Sequence, residues 1–397
     1  MWIPLAPRAG LVPLLFASAA AAALSLAYAP AAAADKPALA SPLFGAPGEV
    51  TIQVFAPEAK TLEVKGDWVA DARQPLARDA EGIWRHTFRG LAAGIHQYAL
   101  VIDGVQTVDP LNPWIKDGVV FGHQSLFEIA TDPGMPFALR QVPHGTVRHH
   151  TYWSKTLEGW RDVVVYTPPG YERGRQRYPV LYLLHGSGEV PTGWTHIGLA
   201  HRIADNRIAE GSAVPLIIVM PNGHTLPPHT FRARRDENTT RFVADFLSDL
   251  IPFVASTYRT KAGAQHRAVA GLSMGGAQAL VVGLERPREF PWVGAFSWGP
   301  LRVGTDSIAA LNVGEITRHN RLLWLTCGRD DFVYEGALAT VSQLRGRGLA
   351  PAWVETDGAH DWLVWRRALA TFLPQLFRIP PRTGTTTRGR PALPAAE

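Results

Sequence analysis

The pentapeptide Gly271-Leu272-Ser273-Met274-Gly275 sets one hydroxyl between two glycines. The apolar run Arg267-Ala268-Val269-Ala270 leads into it, and the helix-like Ala277-Gln278-Ala279-Leu280 follows. A sharp turn between strand and helix holds a serine up for attack, and glycine is the residue that fits its crowded flanks. Gly and Ser usage alone would produce this pattern in roughly one chain in five of this length, so the strand–turn–helix context carries the reading. A helix that starts at the serine also aims backbone N–H groups at any oxyanion formed there.

A serine hydroxyl is a weak nucleophile near neutral pH. It needs a base, and the base needs an acid to orient it. In a sheet of alternating strands and helices these partners arrive at the ends of later strands, in the chain order serine, acid, histidine. The run Leu322-Leu323-Trp324-Leu325-Thr326-Cys327-Gly328 ends at Asp330 and Asp331, and Pro351-Ala352-Trp353-Val354-Glu355-Thr356 leads to His360. His360 is the expected base; His319 is the other histidine in the C-terminal quarter. Asp331 is the preferred acid. Asp330 is its competitor, with Asp331 then capping the following turn, and Asp357 is a third carboxylate on the histidine's own loop. Asp361 reads as an N-cap for the last helix. Two backbone amides are expected to bind the oxyanion: that of Met274, and that of Ser187 in the glycine-bearing stretch His185-Gly186-Ser187-Gly188. His185 precedes that loop on a strand and reads as a structural hydrogen-bonding group rather than a base. Trp194, Trp298 and Trp362 fall in or beside loops at the same edge; each is either a platform for a substrate ring or part of the core. The segment His224–Thr240, rich in arginine, is expected at the rim, against an acidic or phenolic substrate or against solvent.

Two kinds of element must position these groups. From Ala46 to Ala130, short stretches alternate apolar and polar residues between turn signals such as Asp103-Gly104, which predicts a small immunoglobulin-like β-sandwich. Residues 131–150 carry two early prolines and read as a partly packed linker. From Thr151 to Arg378, strand-like and helix-like runs alternate, which predicts an α/β fold: a mostly parallel sheet with helices on both faces. Residues 379–397 are rich in Pro, Thr and Arg and read as a disordered tail.

Residues 152–377 resemble the esterase D-like group of α/β-hydrolases, and within it the feruloyl and acetyl-xylan esterases of carbohydrate esterase family one. The resemblance rests on "YLLHGSG", "RIADNRIAEG", "LIIVMPNG", "RAVAGLSMGGAQAL" and "GAHDWLVWR". It implies Ser273 as nucleophile, His360 as base, Asp331 as acid, and donors at Ser187 and Met274. It implies hydrolysis of feruloyl or acetyl esters on plant-polysaccharide sugars through an acyl-enzyme. No cofactor and no metal are expected. Enterochelin esterase-like enzymes belong to the same group, so a siderophore or other small-molecule ester is the competing substrate. An acyltransferase, or a glycan-binding protein on an inert hydrolase fold, is a more distant alternative. The first domain resembles the early-set, family-48-type carbohydrate-binding modules through "VFAPEAKTLEVKGDW", "GIWRHTF" and "YALVIDGVQTVDPLNPW". That implies either a contact with glycan or packing against the catalytic domain; because its strands carry apolar residues that need burial and the linker is not a flexible Gly/Ser tether, the sandwich is expected to pack on the catalytic domain and shape its substrate entrance.

Composition narrows the classes further. Of 397 residues 46% are hydrophobic and 18% charged, as in a globular protein. The net charge of +5 is scattered, with no basic block or motif for nucleic acid. Residues 1–34 follow the order of a secretory signal peptide: one early arginine, the uncharged apolar run Leu11–Ala29, then small residues before Asp35. A membrane anchor is the alternative there; after cleavage a secreted or periplasmic chain with no membrane partner is expected. The single cysteine, Cys327, lies in an apolar run and reads as a buried strand residue. Neither HExxH nor CxxC occurs, and His149-His150 lack further ligands at a recognisable spacing.

Overall fold

The computed structural model describes residues 38–69, 73–118, 122–129, 134–227, 230, 233–299 and 308–378. The expected signal peptide at 1–34 and the expected disordered tail at 379–397 lie outside the described residues. The described residues from Leu39 onward form one compact unit, in which a β-sandwich precedes an eight-stranded sheet.

The sandwich has two antiparallel sheets. One orders Leu43–Phe44, Val50–Phe55, Ile83–Phe88 and Ala77–Arg78; the other orders Gln74–Pro75, Leu62–Gly66, Gly94–Ile102, Gln124–Ile129 and Ile115–Lys116, with Val105–Thr107 also paired to Gly94–Ile102. Val50, Ile52, Val54, Leu62, Val64, Tyr98, Leu100 and Phe127 meet between them, the inward residues of alternating strands.

The large sheet runs Thr146–Ser154, Gly159–Thr167, Ile217–Pro221, Val180–Leu184, Arg267–Leu272, Trp292–Phe296, Leu322–Gly328 and Ala352–Thr356. From Ile217–Pro221 to the far edge all pairings are parallel; Gly159–Thr167 runs against both neighbours. The strands Val180–Leu184, Ile217–Pro221 and Trp292–Phe296 are buried along their whole length, which is why they read as unbroken apolar runs. The helices Ser273–Glu285 and Tyr334–Gly346, with Phe242, Phe246 and Leu250, cover one face. Ala200–Ala209 and Trp362–Phe372 cover the other, where Ile95, Leu126 and Phe137 from the N-terminal part join the same apolar cluster.

Two sequence expectations change. Residues 146–150, read as the end of a linker, begin the first strand of the large sheet. This edge strand pairs on one side only and is half exposed, so it carries no apolar run to mark it. The stretch Thr239–Tyr258, which reads in the sequence as one long helix, is helical as far as Thr257, but the helix starts at Arg235 and widens to a π-turn at Phe246–Leu250 before Ile251–Thr257. Pro252 follows the widened turn and has no N–H to give to the carbonyl one turn back.

Candidate active site

Ser273 is the junction between the strand Arg267–Leu272 and the helix Ser273–Glu285. Its φ is +50°, a left-handed conformation that costs a residue with a Cβ about 1 kcal/mol or more. The turn survives because the backbone is packed on every side. A Cβ at Gly275 would lie 2.5 Å from the His185 carbonyl oxygen and 2.6 Å from that of Leu184, so the helix start approaches the neighbouring strand closer than any side chain permits.

Three strand ends meet here. His360 Nε2 lies 3.1 Å from Ser273 Oγ. Its Nδ1 is 2.9 Å from both carboxylate oxygens of Asp331. A proton held on Nδ1 by that carboxylate leaves Nε2 as the acceptor for the serine hydroxyl. Asp331 is buried. Burial acts to raise its pKa, but the hydrogen bonds from His360 and from the Val333 amide outweigh it and hold the carboxyl below the usual range. Asp330 is exposed. Asp357 is 91% exposed and faces Arg329 at 3.5 Å. Asp361 accepts from the Val364 amide and caps the last helix. His319 ends a helix and faces Glu315 at 3.5 Å. The Cys327 thiol is buried, and burial with the nearby Asp331 pushes its pKa up to about 12, which leaves it a protonated core residue.

The loop after Val180–Leu184 reaches the serine from the other side. The Gly186 amide donates to Glu189 Oε2 at 3.1 Å, and the Gly188 amide donates to His224 Nε2 at 3.0 Å. Between them, the Ser187 amide has no partner among the described residues, and the same holds for the Met274 amide in the first turn of its helix. Both residues line the same cleft as Ser273. His185 is buried. Its Nε2 accepts from the Gly223 amide at 2.9 Å, and its Nδ1 donates to the Gly186 carbonyl at 2.8 Å. It is a clamp between two loops, as its place on a strand predicts. Burial, then the neighbouring His185 and Arg161, lower His224 to about 3, so its Nε2 stays a hydrogen-bond acceptor at neutral pH.

Ser273, His360, Ser187 and Met274 line one cleft of about 870 Å³. The three tryptophans offered as ring platforms do not: Trp194, Trp298 and Trp362 are at most 1% exposed and belong to the core. Trp194 and Trp362 pack edge to face at 5.3 Å, and Trp194 Nε1 donates to the Leu184 carbonyl at 2.9 Å. The aromatic lining comes instead from Phe332 and Trp365. Phe332 is 81% exposed, with its ring 4.5 Å from that of His360. Trp365 meets the imidazole edge to face at 5.0 Å. Phe332 directly follows the acid and Trp365 is one helical turn beyond Trp362; those adjacencies are the signal that sequence reasoning passed over. Arg234 and Arg235 from the expected rim segment line the cleft, and Arg234 is paired with Glu237 at 2.6 Å. Gln97, Lys116 and Gln124 from the sandwich line it as well.

Comparison with known proteins is consistent with this geometry. The family profile described as "Putative esterase" matches residues 154–376. The chain is 32% identical over 354 residues to an endo-1,4-β-xylanase/feruloyl esterase of Xylanibacter ruminicola, covering 87% of this chain and 47% of that protein, so it spans about half the relative's length. It is 27% identical over 281 residues to an iron(III) enterobactin esterase of Escherichia coli, covering 68% of this chain and 67% of the other. A ferulic acid esterase of carbohydrate esterase family one from Anaeromyces mucronatus, solved with ferulic acid, superimposes with a TM-score of 0.54 at 25% identity over 60% of this chain and 93% of its own. The enterobactin esterase of Shigella flexneri shares the fold at a TM-score of 0.63 and 21% identity, over 83% of this chain and 93% of its own.

Proposed function

The chain belongs to this putative esterase family, and we propose that it hydrolyses carboxylic esters through an acyl-enzyme on Ser273. One observation carries the reading: a strained serine whose Oγ lies 3.1 Å from a histidine that is itself held 2.9 Å from a buried aspartate. In the first half-reaction His360 Nε2 takes the Ser273 proton as Oγ attacks the ester carbon. The carbonyl oxygen becomes an oxyanion held by the Ser187 and Met274 amides, and Asp331 stabilises the imidazolium without accepting its proton. His360 then gives the proton to the departing alkoxide, which leaves as an alcohol. In the second half-reaction a water attacks the acyl carbon by the same route and frees the acid.

The acyl group is a ferulic or related aromatic acid, or acetate, esterified to a plant-polysaccharide sugar. The printed activities of the xylanase/feruloyl esterase relative and of the ferulic acid esterase support this class. Phe332 and Trp365 beside His360 suit a flat ring at the acyl side. The polar sandwich residues Gln97 and Gln124 suit contact with the sugar side. The apolar leader in residues 1–34 supports action outside the cytoplasm. A catecholate siderophore ester is the second reading, favoured by the enterobactin esterase relative. A panel of methyl ferulate, acetylated xylan, a short nitrophenyl ester and a catecholate siderophore decides between them. The proposal expects the highest kcat/KM on methyl ferulate or acetylated xylan; a preference of tenfold or more for the siderophore would replace it.

A further inference from the structure

Glu189 is a buried carboxylate with no place in the chemistry above, and it stands next to the oxyanion loop. Its side chain is 6% exposed. Oε2 accepts from the Gly186 amide at 3.1 Å. A Cβ built on Gly186 would be 3.5 Å from Glu189 Oε2 and 3.5 Å from Ser273 Cβ, so the carboxylate stands within about 7 Å of the nucleophile's side chain. A bare negative charge at that distance repels the oxyanion that the loop exists to bind. It also lacks the solvent that would screen it.

The neutralising charge comes from the other domain. Lys116, on the short sandwich strand Ile115–Lys116, places Nζ 3.3 Å from Glu189 Oε1. The ammonium is held in turn by Gln97 Oε1 at 3.0 Å, on the central strand of the same sandwich sheet. The adjacent Ile115 carbonyl lies 3.2 Å from His196 Nε2, which ties the strand to the catalytic domain one residue away. Lys116 is 18% exposed along its side chain, so this pair is far less screened than a surface ion pair.

We propose that Lys116 is a positioning residue for catalysis: the sandwich domain supplies the charge that lets Glu189 hold the oxyanion loop without opposing the oxyanion. The inference rests on the esterase reading of the same site. Lys116 acts through Glu189 and Gly186 and touches no reacting atom, so its removal falls on the transition state. Ground-state binding changes little.

The test is steady-state hydrolysis of a nitrophenyl ester by the full chain carrying Lys116→Met, Lys116→Arg, or Lys116→Met with Glu189→Gln. Glutamine keeps an acceptor for the Gly186 amide but carries no charge. K116M is expected to lose on the order of 10-fold to 100-fold in kcat with KM within about threefold. K116R is expected to recover most of that loss, and the double variant to return within about threefold of the unsubstituted protein. A K116M protein with unchanged kcat overturns the proposal, as does a loss confined to KM or a double variant no better than K116M. Should K116M unfold below the assay temperature, the double variant decides alone: kcat near the unsubstituted value supports the proposal, and a loss beyond tenfold overturns it. Hydrolysis by the unsubstituted chain, with fluorophosphonate labelling of Ser273, reports separately on the esterase reading; its absence sinks that reading, whereas a silent K116M sinks only this one.

Discussion

Two adjacent aspartates follow the strand Leu322–Gly328, and only Asp331 reaches the imidazole. Asp331→Asn would donate where it must accept and would favour the wrong tautomer of His360, so turnover is expected to fall on the order of 10³-fold. Asp330→Asn is expected to stay within about threefold. Steady-state kinetics of the two variants checks this, and the reverse ranking would move the acid by one residue. At this scale the serine and the histidine were legible because each follows an apolar run that could only be a strand, and the order along the chain matches the order of sheet ends. The choice between Asp330 and Asp331 was only partly legible, because it depends on which carboxylate turns inward. The tryptophans were misread for the same kind of reason. Sequence places Trp194, Trp298 and Trp362 near the right edge, but whether an indole faces the cleft or the core is set by the helix above it. Phe332, 81% exposed, lines the cleft that they were expected to line.

Elements hold the loop as firmly as residues hold the proton. The segment after Ile217–Pro221 brings His224 to the Gly188 amide, and the Arg161 guanidinium fixes that segment through hydrogen bonds to the Asn222 and His224 carbonyls. His224 must be neutral to accept that bond. Its folded pKa of about 3 lies below the ordinary 6.5, so the unfolded chain binds the proton more readily. The stability it contributes is complete above about pH 6.5 and is lost as pH falls toward 3. His224→Gln keeps an acceptor and removes the titration. The fall in Tm between pH 7 and pH 4 is therefore expected to be smaller in H224Q, with some slope left by buried His185, whose pKa is lowered by the same burial. Parallel melting curves in the two proteins would contradict this. The interior strands of both domains were legible as apolar runs or clean alternation. The edge strand Thr146–Ser154 and the two-residue strands of the sandwich were not, since edges need little burial and so leave little pattern.

At the scale of the whole molecule, the sandwich and the catalytic domain share one apolar cluster and, among the described residues, two ion pairs. Arg366 is fully buried. It donates to Glu128 at 2.8 Å and to the Ile197 carbonyl at 2.8 Å, and it lies over the Phe137 ring. Glu128→Ala leaves that guanidinium buried without its counter-charge, at a cost of about 3 kcal/mol or more. Arg366→Met leaves Glu128 at a partly exposed position and is expected to cost less; thermal or denaturant unfolding ranks the two, and the opposite order would contradict the account of the interface. That a sandwich precedes an α/β domain was legible from the change of period near residue 150. That it packs there and shapes the entrance was legible in outline, from apolar strands that need burial and a linker that is no Gly/Ser tether; which residues line the cleft was not, because Gln97, Lys116 and Gln124 are ordinary polar strand residues until the two domains meet. The central claim remains that Ser273 carries the acyl group, and mass spectrometry of the protein quenched during turnover of methyl ferulate tests it most directly. The account predicts a feruloyl adduct on the peptide that contains Ser273, and neither adduct nor turnover in Ser273→Ala. Turnover by S273A near that of the unsubstituted protein, or an adduct formed on another residue, would contradict it.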